Sequence, residues 1–260
     1  MLKKSFFSRQ DPAVTLLMRG GSIEEIIANA RRGEFEGADA IAVELCDLPP
    51  ELRTTDNFRH IMHEVRLPFM FLLYRNDRWL KNDDDARQQY LLNAAEAGAE
   101  LIDVMGDLFA PARRELAVDS QAIEKQKRLI GEIHARGAKV LMSSHMTDSL
   151  SAEEVLAHLR EQSARGADVL KIVTGVNSEA ELVEAIRTTM LLNRELDKPF
   201  LHLCNGSHAR LHRFIGPKLG GSIVFAVCDY LSPGLVWTQP TIRAMKNVIQ
   251  NIPWHPDDVR

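Results

Sequence analysis

Lys171 sits in the middle of Val169-Leu170-Lys171-Ile172-Val173, an apolar run of strand length. An unpaired ammonium in a buried strand is costly. A snorkelling or salt-bridged structural lysine is the plain account. The functional account starts from the cost itself. Burial disfavours the charged form, and a neutral amine is a nucleophile for a carbonyl carbon. The resulting iminium is an electron sink, so a proton on the neighbouring carbon becomes removable. His145 ends the preceding apolar run, after Ser143 and Ser144, and can take and return protons near neutral pH. Arg75 and Arg213 can each hold a carboxylate through two parallel hydrogen bonds. Together they point to Schiff-base elimination or aldol chemistry on a keto acid. Taken singly, Arg75 also reads as a loop charge and His145 as a helix cap.

These residues must be positioned by something, and the chain supplies a regular frame. Apolar runs of strand length at 13–19, 38–45, 67–75, 99–105, 138–145, 167–175, 199–205 and 222–227 each precede a stretch of helical period. Ser22, with Glu25 three residues later, opens the first helix as a capping box. In "EGADAIAV", "AGAELIDV" and "RGADVLKI" a glycine ends a helix just before a strand, the pattern of a C-cap turning into a parallel strand. An open doubly wound sheet fits the alternation too. Eight units without a Gly-x-Gly-x-x-Gly loop favour a single-domain α/β fold, the (β/α)8 TIM barrel, over residues 1–260 with 1–12 as a short extension. In such a barrel chemistry gathers at the carboxyl ends of the strands, where Tyr74-Arg75, Ser143-Ser144-His145 and Cys204-Asn205-Gly206 fall.

Composition narrows the function classes. Net charge is -4 with both signs mixed, which disfavours nucleic acid or a membrane surface as partner. No apolar run approaches membrane-span length, and "MLKKSFFSRQDP" lacks the apolar core of a secretory signal. Cys46, Cys204 and Cys228 form no zinc or disulfide spacing, so a reducing, cytoplasmic setting is expected. Imine chemistry calls for no cofactor and no metal. A metal enzyme is the third class considered. His208 and His212 lie four apart on one helical face, with His202, His145 and Asp103 as further ligands, but the glutamate of the zinc motif is missing. A non-catalytic ligand-binding or regulatory barrel is the second class; the intact Lys171 and His145 speak against it.

The same residues resemble type I 3-dehydroquinate dehydratase over roughly residues 13–250. "GADVLKIV" is similar to that family's lysine strand, "VLMSSHMTDSLSAEEVL" to its Ser-x-His segment, "LPFMFLLYR" to the strand ending in a substrate-binding arginine, and "HRFIGPKLGGSIVFA" to the stretch that carries a carboxylate-binding arginine. The resemblance implies an (α/β)8 barrel that eliminates water from 3-dehydroquinate or a related carboxylated cyclic ketone. It makes Lys171 the imine-forming residue, His145 the acid and base, and Arg75 and Arg213 substrate ligands. It also implies a homodimer, as members of the family often are, and a place in the shikimate pathway.

The departures are specific. The family has a glutamate that orients the histidine where this chain has Met105, with Asp103 kept. Its Glu-x-Arg-x-Asp strand is matched by Glu44 but by Cys46 at the arginine. Asn205 replaces a methionine. In "YLSPGLVW", Leu231 and Leu235 stand at the lid serine and glutamine that touch substrate hydroxyls, leaving Ser232 to supply one hydroxyl. The expected ligand set is therefore Arg75, Arg213, Glu44, Asn205 and Ser232. Leucine cannot hydrogen-bond a diol, and unpaired polar groups discriminate strongly. The replacements thus imply a substrate with fewer hydroxyls.

Overall fold

Gly37, Gly98 and Gly166, the glycines of the repeated helix-to-strand turn, all have positive φ, +93°, +103° and +104°. Only glycine adopts that conformation without steric cost, so these residues set where each helix stops and the next strand begins. The computed structural model describes residues 5–7, 11–230 and 238–256. In chain order it has β1 (Ala13–Met18), α1 (Ile23–Phe35), β2 (Ala40–Glu44), α2 (Thr55–His63), β3 (Phe69–Leu72), α3 (Asp84–Glu96), β4 (Leu101–Met105) and α4 (Ser120–Ala135). There follow β5 (Lys139–His145), α5 (Ala152–Ala164), β6 (Val169–Gly175), α6 (Glu179–Glu195), β7 (Phe200–Asn205), α7 (Ala209–Ile215), β8 (Ile223–Ala226) and α8 (Ile242–Asn251). Helix starts follow local chemistry. The Ser22 side chain accepts from Glu25 N, yet Glu25 reaches back to Gly21 N rather than to Ser22. The full reciprocal box forms at Ser151 and Glu154.

All strand pairs are parallel, in the order β7-β6-β5-β4-β3-β2-β1-β8. Ser222 joins the two ends: its N–H donates to Phe200 O at 2.9 Å and its Oγ accepts from Phe200 N at 3.0 Å. The eight strands thus curl into a nearly closed (β/α)8 barrel, as the alternation predicts. Ala40, Ala42, Met70, Leu72, Leu101, Leu141, Val169, Leu201 and Ile223 form one cluster inside the barrel, joined by Phe6 from the N-terminal segment. Their strand neighbours Ile41, Val43, Phe71, Ile102, Leu170 and Ile172 pack instead with the helices. Successive strand side chains face opposite sides, so inward or outward parity follows for every residue on a strand.

The outward layer holds three buried histidines. His202 and His212 share the Thr189 hydroxyl, at 2.9 and 2.8 Å, while His158 meets Ser144 Oγ at 2.8 Å. Burial, then the Arg213 charge, pushes His212 down to about 3. Burial and then Arg165 push His158 to about 4. Burial, followed by His212 and Arg213, holds His202 well below the usual range. Below about pH 6.5 the unfolded chain protonates these histidines while the folded barrel does not. Stability is therefore expected to fall as pH drops from about 6.5 toward 4. Urea midpoints measured across that range test this, and His212→Gln should make the dependence shallower. A flat profile in the wild-type protein would contradict it.

Candidate active site

Parity decides which polar residues meet. Lys171 lies between Val169 and Val173, both in the interior cluster, so its side chain enters the barrel. Tyr74, Asp103, Ser143, His145, Glu44 and Asn205 have the same inward parity on their strands or just beyond them. The Lys171 side chain is 3% exposed. It is not an unpaired ammonium, as the sequence alone had it: Nζ donates to Tyr74 Oη at 2.8 Å and to Asp103 Oδ2 at 3.3 Å. Tyr74 Oη donates to Asp103 Oδ2 at 2.7 Å, and Ser143 Oγ to Asp103 Oδ1 at 2.6 Å. The ammonium and carboxylate are thus both buried and both hydrogen-bonded, the condition under which an interior ion pair is tolerated. Burial, with Asp103 alongside, holds the Tyr74 phenol well above its ordinary range. It therefore stays protonated, accepting from the lysine and donating to the aspartate.

His145 is reached through Tyr74, whose ring meets the imidazole edge-on at 5.1 Å between centroids. Its partner comes from a loop. Glu115, from the segment between β4 and α4, places Oε2 2.9 Å from His145 Nδ1 and accepts from His145 N at 2.7 Å. Burial works to raise this carboxyl, but the His145 hydrogen bonds and charge, with Lys171 adding, leave it below the usual range. Glu115 has a left-handed φ of +46°, an uncommon conformation for a residue with a side chain. Its carbonyl is held by Ser144 Oγ at 2.7 Å. The orienting carboxylate missing at Met105 is thus supplied ten positions further on. A glutamate in an unstructured-looking stretch carries no periodic signal that would reveal this.

A cavity of about 370 Å³ opens at these strand ends, lined by Leu17, Arg19, Glu44, Tyr74, Arg75, Asn76, Met105, Glu115, His145 and Gln239. Glu44 accepts from Arg19 Nη2 at 2.5 Å and from Asn76 Nδ2 at 3.3 Å. Arg75 lines the cavity, but its donors are turned elsewhere. Nε and Nη2 reach Asp84 at 3.3 and 3.0 Å; Nη1 and Nη2 reach Asp107 Oδ1 at 2.7 Å and its carbonyl at 3.0 Å.

Arg213 presents the opposite case. It is buried, Nε donates to Cys204 O at 2.7 Å, and Nη2 donates to Asn205 Oδ1 at 2.6 Å. No carboxylate meets it among the described residues, and burial pushes it down to about 10. Asn205 therefore serves as its support. Ser232, Leu231 and Leu235 lie outside the described residues.

The histidines considered for a metal are divided. His202 and Cys204 have outward parity and join His212 in a buried cluster whose ligand atoms lie within 4.8 Å of one another. His145 and Asp103 face the barrel interior instead, and His208 caps α7 near the surface. Thr174 and Thr189 hydroxyls already hydrogen-bond both nitrogens of His202, at 3.1 and 2.9 Å.

Comparison with known proteins bears on the family and the fold. The family model of type I 3-dehydroquinase matches residues 14–252. The 3-dehydroquinate dehydratase of Klebsiella pneumoniae is 24% identical over 243 residues, 90% of this chain and 92% of that protein. The enzyme of the same name from Alkaliphilus oremlandii is 31% identical over 144 residues, about half of either protein, at 54% of each. Among solved structures, type I 3-dehydroquinate dehydratase of Clostridium difficile superposes with a TM-score of 0.74 at 17% identity, over 94% of this chain and 93% of that one. With the match running through nearly every strand and helix of the barrel, the chain belongs to the type I 3-dehydroquinase family.

Proposed function

We propose that this chain removes water from 3-dehydroquinate through an imine between the substrate ketone and Lys171. Membership of the family makes it a dehydratase, a lyase. The observation that carries the proposal is a buried amine on the inner wall of the barrel, joined through Tyr74 to a histidine–glutamate pair that lines the cavity. Asp103, 3.3 Å from Nζ, takes the ammonium proton, and the freed amine turns from Tyr74 toward the cavity and attacks the ketone carbon. The ketone oxygen leaves as water, giving the imine. His145 removes a proton from the adjacent carbon, and the electron pair is drawn toward the imine nitrogen. Return of that pair expels the hydroxyl one carbon further on, which takes the proton from His145 and departs as water. A water molecule then hydrolyses the imine, so one water is lost overall. Glu115 fixes the imidazole by its Nδ1, leaving Nε2 for proton transfer, as the oriented carboxylate of a catalytic dyad does.

Arg213 is the group for the substrate carboxylate. A buried guanidinium with no anionic partner is costly, and a bound carboxylate relieves that cost through a charge-assisted pair. Asn205 holds it in place. Arg75, engaged by Asp84 and Asp107, acts as a strut that braces the loop after β4 rather than as a carboxylate clamp. Glu44 faces the substrate ring, and Ser232 remains a candidate hydroxyl ligand. The reading includes a single barrel domain, a homodimer and the shikimate pathway, on the family's habit. It also includes a reducing cytoplasm, supported by three free cysteines. No described helix is long and apolar enough to cross a membrane.

Four outcomes are expected. Borohydride added with 3-dehydroquinate should fix an adduct on Lys171, seen by peptide mass mapping and lost in Lys171→Ala; an adduct on another lysine sinks the imine assignment. His145→Ala should lower turnover by about 10²–10⁴-fold, and Glu115→Ala by about tenfold or more, equal to about 1.4 kcal/mol. Glu115→Gln, which keeps an acceptor but no charge, should fall between the wild type and Glu115→Ala, and equal turnover in all three would remove Glu115 from the mechanism. Arg213→Met should raise KM far more than it lowers the melting temperature, whereas a folded variant with unchanged KM would show that the carboxylate binds elsewhere.

A further inference from the structure

The replacements at positions 46, 231 and 235 imply a site that has lost its readers of substrate hydroxyls, but the cavity wall is not apolar. Arg19 lies one step beyond the Met18–Val43 pairing of β1 with β2, which brings it beside Glu44. Its Nη2 grips Glu44 Oε1 at 2.5 Å, and the pair borders the cavity. A guanidinium thus stands against the end of β2, just before Cys46, contributed by the neighbouring strand instead.

Two buried atoms on this wall are without partners among the described residues. Arg19 Nε, a donor, and Gln239 Oε1, an acceptor, have no hydrogen bond among the described residues. Gln239 is 3% exposed and lies beyond the segment that carries Leu235. Buried polar groups are nearly always satisfied, and an exception calls for a reason. A hydroxyl is both donor and acceptor, so ring hydroxyls entering the cavity can accept from Arg19 and donate to Gln239, with Glu44 beside them. Leu17, Tyr74 and Met105 on the same cavity wall offer apolar and aromatic surface for the ring carbons.

We propose that Arg19, held by Glu44, and Gln239 form the hydroxyl-reading subsite of this enzyme, in place of the arginine and lid glutamine that the chain lacks. This rests on the imine reading given above. Its substrate is then a polyhydroxylated carboxylated ketone, not the poorly hydroxylated one that the replacements alone imply. Specificity has moved to new chain positions while the chemistry of recognition is kept.

The test compares two ketones. Borohydride trapping rates are measured with 3-dehydroquinate and with 3-oxocyclohexane-1-carboxylate, which keeps the carboxylate and the ketone without the ring hydroxyls. Wild-type protein should favour 3-dehydroquinate. Arg19→Met and Gln239→Leu should each reduce the ratio of the two rates by at least about tenfold, with Arg19→Lys retaining part of it. Trapping of the deoxy ketone reports that each variant is folded. Adducts on Lys171 with an unchanged ratio in Arg19→Met and Gln239→Leu would overturn the subsite and leave the imine reading standing. Absence of any Lys171 adduct in the wild-type protein would overturn both.

Discussion

The barrel is arranged around one buried pair of charges, Lys171 and Asp103. Neither would be stable alone at that depth, because leaving water costs each ion several kcal/mol. Tyr74 bridges the two across their separation of 3.3 Å, and Ser143 satisfies the other carboxylate oxygen. Four strands, β3 to β6, each contribute one member on or at the end of the strand. The pair therefore exists only when the strands have curled with one register, and the same requirement that makes it tolerable makes the amine a fixed point on the barrel wall.

Alternation along the strands separates two kinds of histidine chemistry. His145 faces the cavity with a carboxylate on Nδ1, whereas His202, one strand further beyond β6, faces the helices among threonine hydroxyls. The first is partly exposed to the cavity. The second is dry and held neutral by burial. Their residue type is the same, and only the side of the sheet on which each lies differs. That is why the residues weighed together for a metal do not meet at one site: His145 and Asp103 face the barrel interior, while His202 and His212 lie with Cys204 on its outer side.

The family's pattern is kept as chemistry more than as positions. Met105 faces the same cavity as Glu115, which restores a carboxylate to the histidine from the loop ten residues on. Arg19 likewise brings a guanidinium to Glu44 from the neighbouring strand. Loop residues and strand ends lie within a few ångströms of one another at the mouth of a barrel, so a required group can come from any of several chain points. Substitution at a motif position is then weak evidence for lost function unless the surrounding loops are known.

The barrel is legible along the chain. Strand-length apolar runs, helical stretches and the glycines at 37, 98 and 166 repeat locally, and local conformational preference is what a linear pattern records. The sequence also marked Lys171, because a charge inside an apolar run is an anomaly visible without a fold. Tertiary structure alone decided the partners. Asp103 lies 68 positions from Lys171, Glu115 lies 30 from His145, and Arg19 lies 25 from Glu44. No period or propensity links residues so far apart, and ion pairs and hydrogen bonds depend on separation in space. The same holds for Arg75 and Arg213. As sequence they are two equal candidates for a carboxylate, and only the folded chain turns one toward Asp84 and Asp107 and leaves the other buried without an anion among the described residues.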